Sequence, residues 1–148
     1  MYKKILVPID GSDLSNGAVK QACLFAKATD AKLVFYYAKP AYQPDIIAGD
    51  IGFGVVSMDV KNINSIKRHA AEILSQASQM ADVYQVSHEK LTNEYMAPYE
   101  GIIAAADSKN CDLIFMASHG RHGVSALLLG SETQKVPTHC KIPVLVYR

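Results

Sequence analysis

The sequence has no tryptophan, only three cysteines and no long uninterrupted apolar segment. No run approaches the about 18 apolar residues that a membrane helix needs, so we expect no membrane span. The cysteines, Cys23, Cys111 and Cys140, form no C-x-x-C pair, which argues against a disulfide framework and against a zinc ribbon. Isolated cysteines are typical of a reducing compartment, and we therefore expect a cytoplasmic protein.

An excess of charge of either sign is also lacking. The chain has 15 basic and 14 acidic residues and a formal net charge of +1. Without a basic run there is no sequence signal for a nucleic-acid groove, and we expect no nucleic-acid partner. With 148 residues, of which 49% are hydrophobic, the chain is long enough for one domain with a sizeable core.

Short apolar runs alternate along the chain with segments of helical periodicity. Strands are predicted at 5–9, 32–38, 82–87, 113–116 and 142–147, and helices at about 14–28, 60–81, 98–107 and 132–138. Such alternation is typical of a doubly wound α/β domain, in which helices cover both faces of a parallel sheet. Residues 39–58 show no clear periodicity, and a loop of this length is either a candidate lid or a plain connection.

The most informative stretch follows the apolar run at 113–116. It contains Ala117-Ser118-His119-Gly120 and, after nine intervening residues, Gly130-Ser131, where Ser131 could cap the next helix. Glycine lets the backbone approach a ligand closely, and a helix amino terminus favours a phosphate group. The stretch is therefore a candidate phosphate site. An ordinary turn whose glycines serve only its geometry is the alternative.

A second segment, Pro8-Ile9-Asp10, lies at the carboxyl end of the first strand. In a doubly wound sheet, ligands bind at the carboxyl ends of the strands, where the strand order reverses. The first and fourth strands are the most central here, so this segment and the stretch from Ala117 onward should meet at one crevice. Asp10 is either a metal ligand in that crevice or only a turn cap.

Four segments together resemble the universal stress protein family: KILVPIDGS at 4–12, DLIFMASHG at 112–120, LLLGS at 127–131 and PVLV at 143–146. The spacing around Gly120 and Gly130 is similar to the family's nucleotide-binding signature G-x2-G-x9-G-[S/T], with Ala117 in place of the first glycine. The resemblance covers 1–148 as one universal stress protein domain. It implies a Rossmann-like, adenine nucleotide alpha hydrolase-like fold with five parallel strands in the order 3-2-1-4-5.

The resemblance also implies a function. It points to a stress-response protein that binds ATP together with Mg²⁺ and acts as a regulatory or protective homodimer, joined through Val144 and Val146 of the last strand. Asp10 would be the ligand of the metal ion. Carried over residue by residue, the nucleotide-binding positions are Pro8, Ile9, Asp10, Ala38, Met116, Ala117, His119, Gly120, Gly130, Ser131, Glu132 and Thr133.

Two of these positions keep alternatives open. Ala117 adds a methyl group where the backbone should pass near the ligand, and Glu132 brings a carboxylate close to the phosphates unless it serves a helix dipole. The alternatives are an interaction module of the same fold that binds no nucleotide, and a slow ATPase. No general base or water-positioning group is evident in the sequence, so we expect binding with at most weak hydrolysis.

Overall fold

The computed structural model describes residues 1–41, 53–119 and 129–148, with the backbone alone for 53–61. Within these residues, no helix is both long and apolar enough to cross a bilayer. The helices and strands follow one another in alternation: β1 (Lys4–Pro8), α1 (Asp13–Thr29), β2 (Lys32–Pro40), α2 (Phe53–Tyr84), β3 (His88–Tyr95), α3 (Pro98–Ser108), β4 (Leu113–Ala117), α4 (Ser131–His139) and β5 (Val144–Tyr147).

The five strands form one parallel sheet in the order β3-β2-β1-β4-β5, which confirms the predicted fold class and strand order. Side chains alternate across the central strands, so that Ile5 and Val7 enter one core and Leu6 enters the other. The first core is covered by α1 and α2, and the second by α3 and α4. Burial on both faces explains why β1 and β4 read as continuous apolar runs.

The strand predicted at 82–87 is wrong. Helix α2 continues to Tyr84, Gln85 takes a left-handed backbone conformation with φ 58°, and β3 begins only at His88. The apparent alternation misled the prediction because Val83 belongs to the last turn of the helix and is 80% exposed. β3 lies at a sheet edge and is mostly polar, so it lacks the apolar pattern by which strands are recognised.

The long loop predicted at 39–58 is also wrong in part. β2 extends to Pro40, and α2 already begins at Phe53. The remaining part of that prediction, residues 42–52, lies outside the described residues, and so does the candidate lid.

The three cysteines all lie in the described part of the chain and are unpaired there. Cys23 on α1 and Cys111 before β4 are buried in the two cores, as expected for structural thiols. Burial raises the pKa of both thiols to about 11. They are therefore protonated at neutral pH and behave as small apolar side chains.

An ionic cluster joins three strands at the amino-terminal side of the sheet. The carboxylate of Glu89 on β3 lies 3.0 Å from Lys4 Nζ, 3.0 Å from Lys109 Nζ and 3.7 Å from Lys32 Nζ. Its hydrogen bonds with Lys4 and then Lys109 hold the pKa of Glu89 at about 2, against the desolvation that would raise it. The cluster thus fastens the polar edge strand to β1, β2 and the end of α3.

We expect Glu89→Gln to lower the free energy of unfolding near neutral pH by on the order of 1 kcal/mol, as for partly exposed ion pairs. The pKa of Glu89 is lower in the folded chain than in an unfolded one, where it is about 4.3. The stabilisation is therefore complete above the unfolded value and is lost as the pH falls toward 2. Urea denaturation of wild type and variant, at neutral pH and at a pH below the unfolded pKa, measures the difference in unfolding free energy.

The exposed Glu72→Gln variant on α2 is the matched control and should leave the stability nearly unchanged. A difference between wild type and Glu89→Gln that does not shrink under acidic conditions would contradict the assignment.

Candidate functional site

A cavity of about 400 Å³ opens at the carboxyl ends of β1, β2 and β4. This volume falls within the range of about 300–1,000 Å³ that is common for small-molecule sites. β1 and β4 are neighbours in the sheet, yet the chain leaves them toward opposite faces, through α1 after β1 and through α4 after β4. The cavity therefore lies where the strand order reverses, the usual ligand position in a doubly wound sheet.

The structure brings most of the predicted binding residues to this one cavity. The twelfth predicted position, Gly120, lies outside the described residues. The other positions come from β1, β2, β4 and the start of α4, and all of them line the cavity: Pro8, Ile9, Asp10, Ala38, Met116, Ala117, His119, Gly130, Ser131, Glu132 and Thr133.

Further lining residues were missed by the sequence analysis: Ser15, Tyr36, Tyr37, Pro98 and Ile102. The two-residue period of a strand places Tyr36 on the same face as Ala38, so this one could have been found. The Tyr36 hydroxyl donates to Asn93 Oδ1 at 2.6 Å, and burial raises the pKa of Tyr36. Pro98 and Ile102 share one face of α3, and no signal in the sequence shows that this face meets the cavity.

The turn between β1 and α1 is braced by its own side chains. Asp10 Oδ1 accepts a hydrogen bond from Ser12 N at 3.0 Å, and Ser15 Oγ accepts one from Asp10 N at 3.2 Å. Ser12 caps α1 by accepting from Ser15 N, and Gly11 has a φ of 80°, a conformation that favours glycine. Asp10 thus serves as a turn cap and at the same time lines the cavity.

The start of α4 is fixed against the end of β4. Gly130 N donates to the Ser118 carbonyl at 2.8 Å, and the buried Thr133 hydroxyl lies 3.0 Å from the Ala117 carbonyl and 3.2 Å from that of Ser118. A Cβ atom on Gly130 would lie 3.3 Å from the Ser118 carbonyl oxygen. The close approach of these two backbone segments therefore favours glycine at 130, because a side chain there would force the Ser118 carbonyl to shift by a few tenths of an ångström.

Ser131 is not the helix cap that the sequence suggested. Gly130 is the cap residue, with an extended backbone, and Ser131 is the first residue of α4. The close packing of Gly130 against Ser118 starts the helix one residue earlier. The Ser131 hydroxyl instead donates to Glu132 Oε1 at 3.3 Å.

The Glu132 carboxylate points to another helix. Its Oε2 accepts a hydrogen bond from Tyr99 N at 2.6 Å, and its Oε1 lies 3.5 Å from Lys135 Nζ. Ala97, the cap residue of α3, has no side-chain acceptor of its own. Glu132 therefore satisfies an amide in the first turn of α3, where a negative charge is favourable.

Ala117 fits its position without backbone strain. It is the last residue of β4, and it is not among the described non-glycine residues with positive φ, which are Asp30, Gln85 and Asn110. The extra methyl group relative to glycine therefore has no conformational cost here. The neighbouring Ser118 Oγ lies 2.8 Å from His119 Nδ1 and orients that ring at the cavity wall.

Comparison with known proteins identifies the family. The model of the universal stress protein family matches residues 1–148. The chain belongs to this family. The universal stress protein MJ0531 of Methanocaldococcus jannaschii is 31% identical over all of this chain and 83% of its own length. The universal stress protein YxiE of Bacillus subtilis is 30% identical over the full length of both chains.

Solved structures of universal stress proteins have the same fold. UspA from Lactobacillus plantarum superposes with a TM-score of 0.81 at 24% identity, over 99% of this chain and 98% of its own. A universal stress protein in complex with cAMP has a TM-score of 0.73 at 26% identity, over 99% and 97% of the two chains. The Archaeoglobus fulgidus protein in complex with dAMP has a TM-score of 0.69 at 18% identity, over 99% and 98%.

The carboxylates in this universal stress protein suit a magnesium ion only in combination with a ligand. Among the described residues, no group of three His, Cys, Asp or Glu side chains could hold a metal by itself. Mg²⁺ commonly binds through one or two carboxylates together with the phosphates of a substrate. Asp10 on the cavity wall could supply one such carboxylate.

We expect Thr133→Val to lower the free energy of unfolding by about 1–2 kcal/mol, because the buried carbonyls of Ala117 and Ser118 lose their hydroxyl donor. Thermal or urea denaturation measures the loss. Thr138→Val is the matched control, since Thr138 is exposed on the same helix and the contacts of its hydroxyl, with the Gln134 and Lys135 carbonyls and with His139 Nδ1, all stay within that helix. Equal losses of unfolding free energy in the two variants would contradict a stabilising role for the Thr133 hydrogen bonds between β4 and α4.

Proposed function

We propose that this universal stress protein binds an adenine nucleotide in the cavity at the carboxyl ends of β1 and β4. One observation carries the proposal: residues from four separate segments, selected from the sequence by their family pattern, line a single cavity at the point of strand reversal. The cAMP complex of a relative that is 26% identical supports an adenine nucleotide as the ligand.

The lining of the cavity combines apolar and polar groups that suit the two parts of a nucleotide. Ile9, Ala38, Ile102 and Met116 are apolar lining residues and suit the base. α4 begins at the cavity, and the first amides of a helix have no partner within it. With the Ser131 hydroxyl, these amides are suited to hold phosphate oxygens.

The specific ligand that we propose is ATP with Mg²⁺, in a cytoplasmic protein of the stress response. Mg²⁺ would neutralise part of the triphosphate charge, held jointly by the phosphates and Asp10. Glu132 does not prevent this arrangement, because its carboxylate is directed to Tyr99 N and Lys135. We expect a nucleotide-dependent regulatory or protective role with at most weak hydrolysis.

The test is to denature freshly purified protein, to assay the supernatant for released nucleotide, and then to titrate stripped protein with ATP and Mg²⁺ in a calorimeter. We expect saturable binding with a micromolar dissociation constant. A stripped, folded protein that binds neither ATP nor AMP would refute the proposed function and would favour an interaction module.

We expect Gly130→Val to weaken nucleotide binding by at least about tenfold while the fold is retained. The new side chain would lie against the Ser118 carbonyl and push the start of α4 away from the phosphates. Calorimetric titration measures the affinity, and circular dichroism checks the fold. Binding at wild-type affinity in a folded Gly130→Val protein would show that the site is misplaced.

We also propose that the protein forms a homodimer through β5. This strand is at one edge of the sheet, and in the described part of the chain no strand pairs with its outer side. All of its residues, Val144 to Tyr147, are half-buried and apolar or aromatic. An unpaired strand edge with partly exposed apolar side chains is a surface on which a second copy of the chain can pair.

Val146→Lys should convert the dimer to a monomer, because a lysine at the edge of a strand opposes pairing with a second strand. Light scattering coupled to size-exclusion chromatography measures the mass in solution. Val83→Lys on α2 is the control, since Val83 is 80% exposed and away from this edge. If the Val146→Lys protein remains dimeric, another surface forms the interface.

A further inference from the structure

We propose that Glu132 makes the site selective for charge: it disfavours a metal-free triphosphate and admits the magnesium complex of ATP. The inference rests on the proposed nucleotide site and adds a specificity-determining residue to it. The side chain is on the cavity wall, in the first turn of α4, beside the amides that we assign to the phosphates. It is 29% exposed, so its charge is only partly screened by solvent.

The carboxylate is held in place by other parts of the fold. Tyr99 N donates to Oε2 at 2.6 Å, and the Ser131 hydroxyl donates to Oε1 at 3.3 Å. A rotation of Glu132 away from an incoming phosphate would therefore leave the amide of Tyr99 without its acceptor. Because that loss has a free-energy cost, the negative charge stays beside the phosphate subsite when a ligand enters.

The same carboxylate competes with a ligand for the Ser131 hydroxyl. That hydroxyl has a single proton, which is directed to Glu132 Oε1. A phosphate oxygen would have to draw the proton away from the carboxylate while being repelled by it. The penalty therefore grows with the charge of the phosphate chain near α4.

Other charged groups near Glu132 strengthen or weaken its discrimination against metal-free ATP. Lys135 lies 3.5 Å from Glu132 Oε1 and neutralises part of its charge, while its ammonium also lies 5.5 Å from the centre of the Tyr99 ring. Asp10 adds a second carboxylate to the cavity wall. Among the described charged residues, metal-free ATP would meet the carboxylates of Asp10 and Glu132, with Lys135 beside the latter, whereas bound Mg²⁺ would cancel two of the ligand's negative charges.

The size of the effect follows from Coulomb's law. At a separation of about 8 Å and an effective dielectric constant near 20, one unit charge changes a binding constant by about thirtyfold. Salt screens part of this interaction, so a change of about tenfold is the expected outcome in buffer.

The experiment compares wild type with Glu132→Gln, titrated with AMP, with ATP in excess chelator and with ATP in excess Mg²⁺. Glutamine keeps an oxygen that can accept from Tyr99 N, so the variant removes the charge and retains the contact to α3. We expect metal-free ATP to bind at least about tenfold more tightly to the variant, and AMP and magnesium ATP to change by less than about threefold.

Two further variants test whether any nearby loss of a carboxylate has the same effect and what Lys135 contributes. Glu100→Gln makes the same substitution at an exposed neighbour of Tyr99 and should leave all three affinities unchanged. Lys135→Gln removes the neutralising partner of Glu132 and should weaken the binding of metal-free ATP further. The opposite signs of the Glu132 and Lys135 effects distinguish charge selection from a general loosening of the start of α4.

The inference is overturned if Glu132→Gln leaves the affinity for metal-free ATP unchanged, or if it changes the affinities for all three ligands equally. Thermal unfolding of each variant shows whether the fold is retained. If neither AMP nor ATP binds to folded wild type or to the variant, the proposed nucleotide site itself is wrong. That result is distinct from a nucleotide site without charge selection, where AMP would still bind.

Discussion

The candidate site depends on the hydrogen bonds that join the end of β4 to the start of α4. Gly130 N donates to the Ser118 carbonyl, and the Thr133 hydroxyl lies within hydrogen-bond distance of the carbonyls of Ala117 and Ser118. Thr133 and Ser118 are 3% and 1% exposed, so these polar groups would be costly if they were left unpaired. Because these hydrogen bonds are buried and pair the polar groups on both sides, the amides at the start of α4 have a fixed position relative to the sheet.

Glu132 extends this arrangement to a second helix. Its carboxylate satisfies the amide of Tyr99 in α3, and it also contacts Ser131 and Lys135 in α4. The two helices that start at the cavity are thus joined by one acidic side chain. The same charge that stabilises the start of α3 lies close to the place proposed for phosphates, so stability and ligand preference are coupled at one residue.

The central strands and α1 could be predicted from short apolar runs and helical periodicity, because β1 and β4 are buried on both faces. β3 could not be predicted in this way. Its sequence, HEKLTNEY, is mostly polar, and it is a strand because it pairs with β2 from His88 opposite Leu33 to Tyr95 opposite Pro40. The ion pairs of Glu89 with Lys4 and Lys109 likewise join positions that no local pattern connects.

The sequence by itself determined the α/β class and, through its resemblance to the family, eleven of the sixteen described positions that line the cavity. A local motif can mark these positions because they lie at or beside strand ends and at a helix start. Only the tertiary structure decided that Gly130 caps α4, that Pro98 and Ile102 line the cavity, and that Glu132 bonds to Tyr99. These depend on distances between residues far apart in the chain, such as the 33 positions between Tyr99 and Glu132, and packing alone sets such distances.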